Sequence, residues 1–155
     1  MKPRGLNTMR IREPDLADIP CWSEMRKALW PDPKNQNRSE LQAYFSGKST
    51  DIKQAFLAEL EEKVIGFIEL NIRNIVEGSR NSQVPYIEAL YIEPEFHGHG
   101  CGKQLIVGAE NWAISKGFTE LGSDTNIENI KSISVHKHLG FNETDRIVCF
   151  LKQLK

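Results

Sequence analysis

Apolar positions fall into two periods along this chain. Met9 to Arg12, Gln54 to Leu60, Val64 to Arg73, Tyr86 to Ile92, Phe118 to Asp124 and Ile147 to Leu151 read as strands, rich in branched and aromatic residues and bounded by polar or glycine-containing turns. Trp22, Met25, Arg26 and Leu29 recur at helical spacing, which predicts a helix within Asp15 to Trp30, with Pro20 near its start and Trp30-Pro31-Asp32-Pro33 as its stop. Ser39 with Gln42 fits a capping box for a short helix to Phe45, ended by Gly47. Leu105, Ile106, Ala109, Trp112 and Ala113 share one helical face that Gly117 terminates, and Asn126 to Leu139 forms a last helix before Gly140. Helices interleaved with mostly antiparallel strands predict an α+β (mixed α/β) fold, one sheet covered by helices.

A length of 155 residues with 39% hydrophobic and 26% charged positions suits a single domain, read here as residues 9–155 behind a flexible N-terminal extension, 1–8. A formal net charge of -1 carries no nucleic-acid footprint. No apolar run approaches the ~18 residues of a membrane span, and the first residues lack the apolar core of a secretory signal. Cys21, Cys101 and Cys149 are widely separated and have no metal-ligand spacing, so no metal is expected and a reducing cytoplasm is the simplest compartment.

The richest stretch is the end of the Tyr86–Ile92 run. It leads through Glu93-Pro94 into His97-Gly98-His99-Gly100-Cys101-Gly102-Lys103 and then the helical pattern. The first amides of a helix have no partner inside the helix, and the helix dipole favours an anion there. Glycines let the main chain approach such an anion closely. This order therefore points to a pyrophosphate-bearing cofactor; a plain glycine-rich loop is the alternative. Cys101 at the helix start is expected to have a lowered thiol pKa and to react with thiol reagents; a buried, inert thiol is the alternative.

The hexamer His97–Gly102 resembles motif A of the GCN5-related N-acetyltransferases, with His97 in place of the usual Gln or Arg. Asn129-x-x-Ser132-x-x-Val135-His136-x-x-x-Gly140-Phe141 resembles their motif B, with His136 where a tyrosine is usual. Met25–Pro31, Ile87–Ile92, Gly122–Thr125 and Val135–Arg146 are similar, in order and interval, to the type I aminoglycoside 6'-N-acetyltransferases, a subgroup that also has this histidine. Two departures stand out: Asn74-Ile75-Val76 replaces an Asp-Tyr-Val segment, and Ala89 replaces a glycine.

The resemblance implies acetyl-CoA as cosubstrate, an aminoglycoside amine as acceptor and a homodimer. It places His97, Gly98, His99, Gly100, Cys101, Gly102, Lys103 and Asn129 at the coenzyme, with Leu90, Tyr91 and Ile92 pairing its pantetheine arm. An attacking amine must be neutral, so carboxylates are needed to attract its cationic form and accept a proton. The resemblance supplies Glu88 and Asp124 as catalytic acids, His136 as proton donor to the thiolate, and Trp30, Ile75, Glu88, Asp124 and Asp145 as acceptor contacts. Glu88 is expected on one sheet face with Leu90 and Ile92, a carboxylate in an apolar row. A salt-bridged strand position is the alternative for Glu88, a solvated turn for Asp145, a core anchor for Trp30, and helix packing or coenzyme contact for His136. Acetylation of some other amine, or acetyl-CoA binding without catalysis, stay open beside the antibiotic reading.

Overall fold

The structure, a computed structural model, describes residues 9–32 and 34–155; the expected extension at 1–8 and Pro33 of the expected helix stop lie outside the described residues. Asp15 and Asp18 open the first helical segment by a reciprocal cap. The Asp15 carboxylate accepts the Ala17 N–H at 2.9 Å and the Asp18 carboxylate accepts the Asp15 N–H at 2.7 Å, satisfying donors that a helix start leaves free. A 3-10 turn, Leu16–Asp18, then runs into α1, Ile19–Leu29, with Pro20 in its first turn as expected. α2 spans Asn37–Phe45, and Gly47 follows it at φ 73°. The capping box expected at Ser39 does not form. Asp32 reaches in from the preceding loop and accepts the Gln36 and Asn37 N–H groups at 2.7 and 3.0 Å, so the helix starts earlier and holds Ser39 in its first turn.

Four strands, β1 (Met9–Arg12), β2 (Gln54–Leu60), β3 (Lys63–Arg73) and β4 (Val84–Ile92), pair antiparallel in sequence order. Each face of this sheet carries its own core. Trp22 and Met25 of α1 and Leu41 of α2 pack with Ala55, Leu57, Phe67 and Ala89 on one face. On the other, Leu105, Ile106 and Ala109 of α3 (Cys101–Ser115) pack with Ala58, Ile65, Ile68, Leu70 and Ile87. The alternation of side chains along a strand is what divides neighbours such as Phe67 and Ile68 between the two cores.

The last third differs from expectation. The strand expected over Phe118–Asp124 is reduced to a parallel bridge between Gly122 and Tyr86. α4 is Ile130–His138, shorter than expected, because Asn129 caps it: its side-chain oxygen accepts the Ser132 N–H at 3.0 Å. The strand expected over Ile147–Leu151 does not form. Ile147, Val148, Phe150 and Leu151 are exposed and pair with no strand among the described residues. No helix among the described residues is long and apolar enough to cross a membrane.

Candidate active site

Glu88 lies where β4 breaks step with β3. Ala89 pairs with Glu69 and Ile87 with Leu70, so Glu88 is an extra residue without a partner, a β-bulge. Leu90 and Ile92 lie against the α3 core, and the bulge turns Ile87 onto that same face. Glu88 therefore does not continue the row of Leu90 and Ile92, as unbroken alternation requires; it is re-aimed toward the end of β3.

There Arg73 meets it. The guanidinium donates to both Glu88 oxygens, from Nε at 2.7 Å and from Nη2 at 2.8 Å. Its carbon also stands 3.6 Å from the centroid of the Tyr86 ring, a close cation–π contact. Tyr86 Oη donates to Asp124 at 2.7 Å. Burial and that acid raise the Tyr86 pKa, which keeps the phenol a donor, while the Glu88 hydrogen bonds hold Arg73 above the ordinary arginine value. Gly122 brings Asp124 here. Its backbone exchanges hydrogen bonds with Ile87 and Pro85, each at 2.9 Å, and a Cβ on it would stand 2.6 Å from the Tyr86 ring. The two carboxylates named from sequence are thus joined through Arg73 and Tyr86, neither of which the sequence singled out.

The α3 start matches the expected anion turn in its backbone. Gly98 and Gly100 both have φ 81°, a left-handed conformation suited to glycine. Among the described residues no side chain caps the helix, and a Cβ on Gly98, Gly100 or Gly102 would meet nothing within 4 Å. The first-turn amides are thus left without a side-chain cap among the described residues, the condition in which a helix start can receive an anion. His99 and Lys103 are exposed there, whereas His97 turns back and its Nε2 donates to the Ile92 carbonyl at 2.8 Å. At Cys101 the buried alternative holds over the reactive one. The residue is 1% exposed in the α3 core, and burial raises its thiol pKa, outweighing the hydrogen bond from its own backbone N–H. Only its backbone can serve an anion.

Leu90 and Ile92 support the α3 core and Tyr91 packs on Phe67. Beyond Ile87, the β4 edge away from β3 has no strand partner among the described residues. His136 is fixed at both ring nitrogens. The Ser132 carbonyl accepts from Nδ1 at 2.7 Å, and Nε2 shares a hydrogen bond of 2.8 Å with the Ser123 hydroxyl. His136 thereby holds Ser123, the residue before Asp124. Ser123 was legible only as part of the Gly122–Thr125 piece.

The remaining acceptor residues are more dispersed. Ile75 is 83% exposed on the loop after β3. Asp145 is exposed and accepts the N–H of Arg146; its neighbour Thr144 lies against Gly78 of that loop. Trp30 is half-exposed at the end of α1, its ring 5.5 Å from the Arg26 guanidinium carbon. It is outside the core, which excludes the core-anchor alternative. No hydrogen bond among the described residues ties Trp30, Ile75 or Asp145 to Glu88 or Asp124, and no metal-binding cluster occurs among them.

The profile of the Acetyltransferase (GNAT) family matches residues 22–141. The chain belongs to this family. The GNAT chain is 35% identical over 146 residues to an aminoglycoside N(6')-acetyltransferase type 1 of Klebsiella aerogenes, covering 93% of this chain and 96% of that protein. A protein of the same name from Stenotrophomonas maltophilia is 31% identical over 147 residues, 94% of each. A solved structure of AAC(6')-Iy in complex with the bisubstrate analogue CoA-S-monomethyl-acetylneamine is 32% identical, covers 94% of this chain and 99% of its own, and superposes with a TM-score of 0.85.

Proposed function

We propose that this GNAT chain transfers the acetyl group of acetyl-CoA to the 6'-amino group of an aminoglycoside, with the acceptor docking at Glu88 and Asp124. The observation that carries this reading is the Glu88–Arg73–Tyr86–Asp124 cluster, set on a bulge next to a β4 edge that has no strand partner beyond Ile87 among the described residues. Gly98 to Lys103 would hold the coenzyme's pyrophosphate on main-chain amides. The free edge at Leu90, Tyr91 and Ile92 would pair the pantetheine arm as an added strand. Asn129 spends its carbonyl on the α4 cap and retains its amide N–H groups for the same arm.

The acceptor enters as an ammonium drawn to the two carboxylates. A carboxylate takes one proton, and the freed lone pair attacks the thioester carbonyl carbon. The new C–N bond forms as the C–S bond breaks, and the departing sulfur receives a proton. Ser123, hydrogen-bonded to His136 and next to Asp124 in the chain, would supply a hydroxyl for that delivery. Trp30, Ile75 and Asp145 would line the outer part of the acceptor site. A second reading, acetylation of a different amine, is favoured by one observation: the exposed residue after β3 is Ile75, an aliphatic side chain where the resembling subgroup has an aromatic one.

The enzyme would work in the cytoplasm as a homodimer. The exposed apolar run Ile147, Val148, Phe150, Leu151 and Leu154 supports association, since isolated surface apolar residues need no partner but contiguous ones do. Thiol release from acetyl-CoA, measured with kanamycin, tobramycin, spermidine and a lysine peptide, tests the reading. Release confined to the first two is expected; release with spermidine or the peptide alone selects the second reading, and no release with any overturns both.

A further inference from the structure

Arg73 occupies the place that an acceptor ammonium needs. A carboxylate stands in front of it, with both oxygens engaged at 2.7 and 2.8 Å, and an aromatic face lies 3.6 Å away. Those are the features that hold an organic cation. A guanidinium does not release protons at neutral pH; seated on both Glu88 oxygens it neutralises the carboxylate and fills one lone pair on each, so a second cation is drawn and deprotonated less strongly while it stays. The pair is nevertheless built to open. Its side chains are 38% and 26% exposed, Arg73 is the last residue of β3 before an irregular loop, and Glu88 is the member fixed by paired neighbours on both sides of the bulge.

We infer that Arg73 is a specificity-determining residue: it is a resident cation on Glu88 that an acceptor amine must displace before Glu88 can act on it. Weakly charged amines then fail to unseat it, while polycations succeed with the added pull of Asp124. On displacement the guanidinium keeps the Tyr86 face, which leaves it beside the acceptor. This inference rests on the reading that the acceptor docks at Glu88.

Steady-state kinetics on Arg73→Gln, Arg73→Lys, Glu88→Gln and the Arg73→Gln/Glu88→Gln double variant test it. Arg73→Gln should lower the acceptor KM roughly fivefold, the scale of a partly exposed ion pair, with the acetyl-CoA KM unmoved. Arg73→Lys, a cation without the fork, should fall between it and the parent. In the Glu88→Gln background the Arg73 change should have no effect on KM, because no carboxylate remains to be freed. A KM that rises or stays constant in Arg73→Gln overturns the inference, as does an equal fall in both backgrounds. If instead Glu88→Gln alone leaves turnover and KM intact, the docking site itself is wrong. Should Arg73→Gln not fold, titrating the unaltered enzyme with acceptor and following the Arg73 Nε–H resonance gives the same answer: a large shift supports displacement, and an unchanged signal overturns it.

Discussion

Strand β3 carries two arginine–glutamate pairs that share chemistry and differ in burial. In its middle, Glu69 accepts from Arg26 Nε at 2.9 Å, Arg26 Nη2 at 3.1 Å and the Trp22 indole at 2.9 Å. Asn37 and Glu40 take the other face of that guanidinium. At its end, Arg73 holds Glu88. The side chains of the first pair are 9% and 2% exposed, against 38% and 26% in the second. Burial pushes the Glu69 carboxyl up, and the three N–H donors pull against it. Opening such a pair leaves a charge in the core, whereas an exposed pair exchanges partners at little cost. One fold therefore uses the same two residue types as a buried scaffold in one place and as a half-exposed contact in the other.

Removing one partner breaks the comparison most strongly. Arg26→Ala should lower stability by about 3–5 kcal/mol, read from urea unfolding, because Glu69 is left buried without its cation. Arg73→Ala should cost no more than about 1 kcal/mol. Equal losses would mean that exposure does not separate the pairs. Activity should divide the other way: Glu88→Gln is expected to reduce turnover about a hundredfold, the lower range for loss of an acid–base group, with coenzyme binding and the unfolding midpoint retained.

The sequence made the first pair invisible as a pair, although Arg26 sits on the predicted helical face and Glu69 in the predicted strand. Periodicity assigns each a face but not a partner. Glu88 and Asp124 were legible from their motifs, and the glycine turn from its spacing. Arg73 was not, because it reaches Glu88 only through the β3–β4 register and a one-residue bulge that no local pattern encodes. Sequence left Cys101 open between a reactive and a buried thiol for a related reason: a helix start lowers a thiol pKa, but the face presented by that helix buries this one. The strands expected over 118–124 and 147–151 had strand-like composition without a paired neighbour, and a strand needs the ladder as well as the pattern.

A smaller change sharpens the functional side of the comparison. Gly122→Ala would place a Cβ 2.6 Å from Tyr86 Cδ2 and 3.1 Å from Val76 Cγ1. The ring must then shift, and with it the support for Arg73 and the donor to Asp124. Overpacking of this kind is expected to cost about 2 kcal/mol in thermal unfolding. It should also raise the acceptor KM while leaving the acetyl-CoA KM alone. Unaltered acceptor kinetics would show that Tyr86 does not have to stand where it does.

The third ion pair lies between the other two in exposure, and pH reads it. Arg12 grips Asp18 through two hydrogen bonds of 2.8 Å, with side chains 20% and 10% exposed. The Arg12 hydrogen bonds, aided by the Asp15 N–H, hold the Asp18 carboxyl below its ordinary value of 3.8. The folded state thus binds this proton less tightly than the unfolded chain. The resulting stability is complete above the unfolded value near 3.8 and is lost as pH falls through the lower folded value. Asp18→Asn should cost about 1 kcal/mol at neutral pH and almost nothing at the acid end, so its unfolding free energy should approach that of the parent as pH drops. A constant difference across that range, measured by urea unfolding at stepped pH, would assign the effect of Asp18 to helix capping geometry and not to its charge.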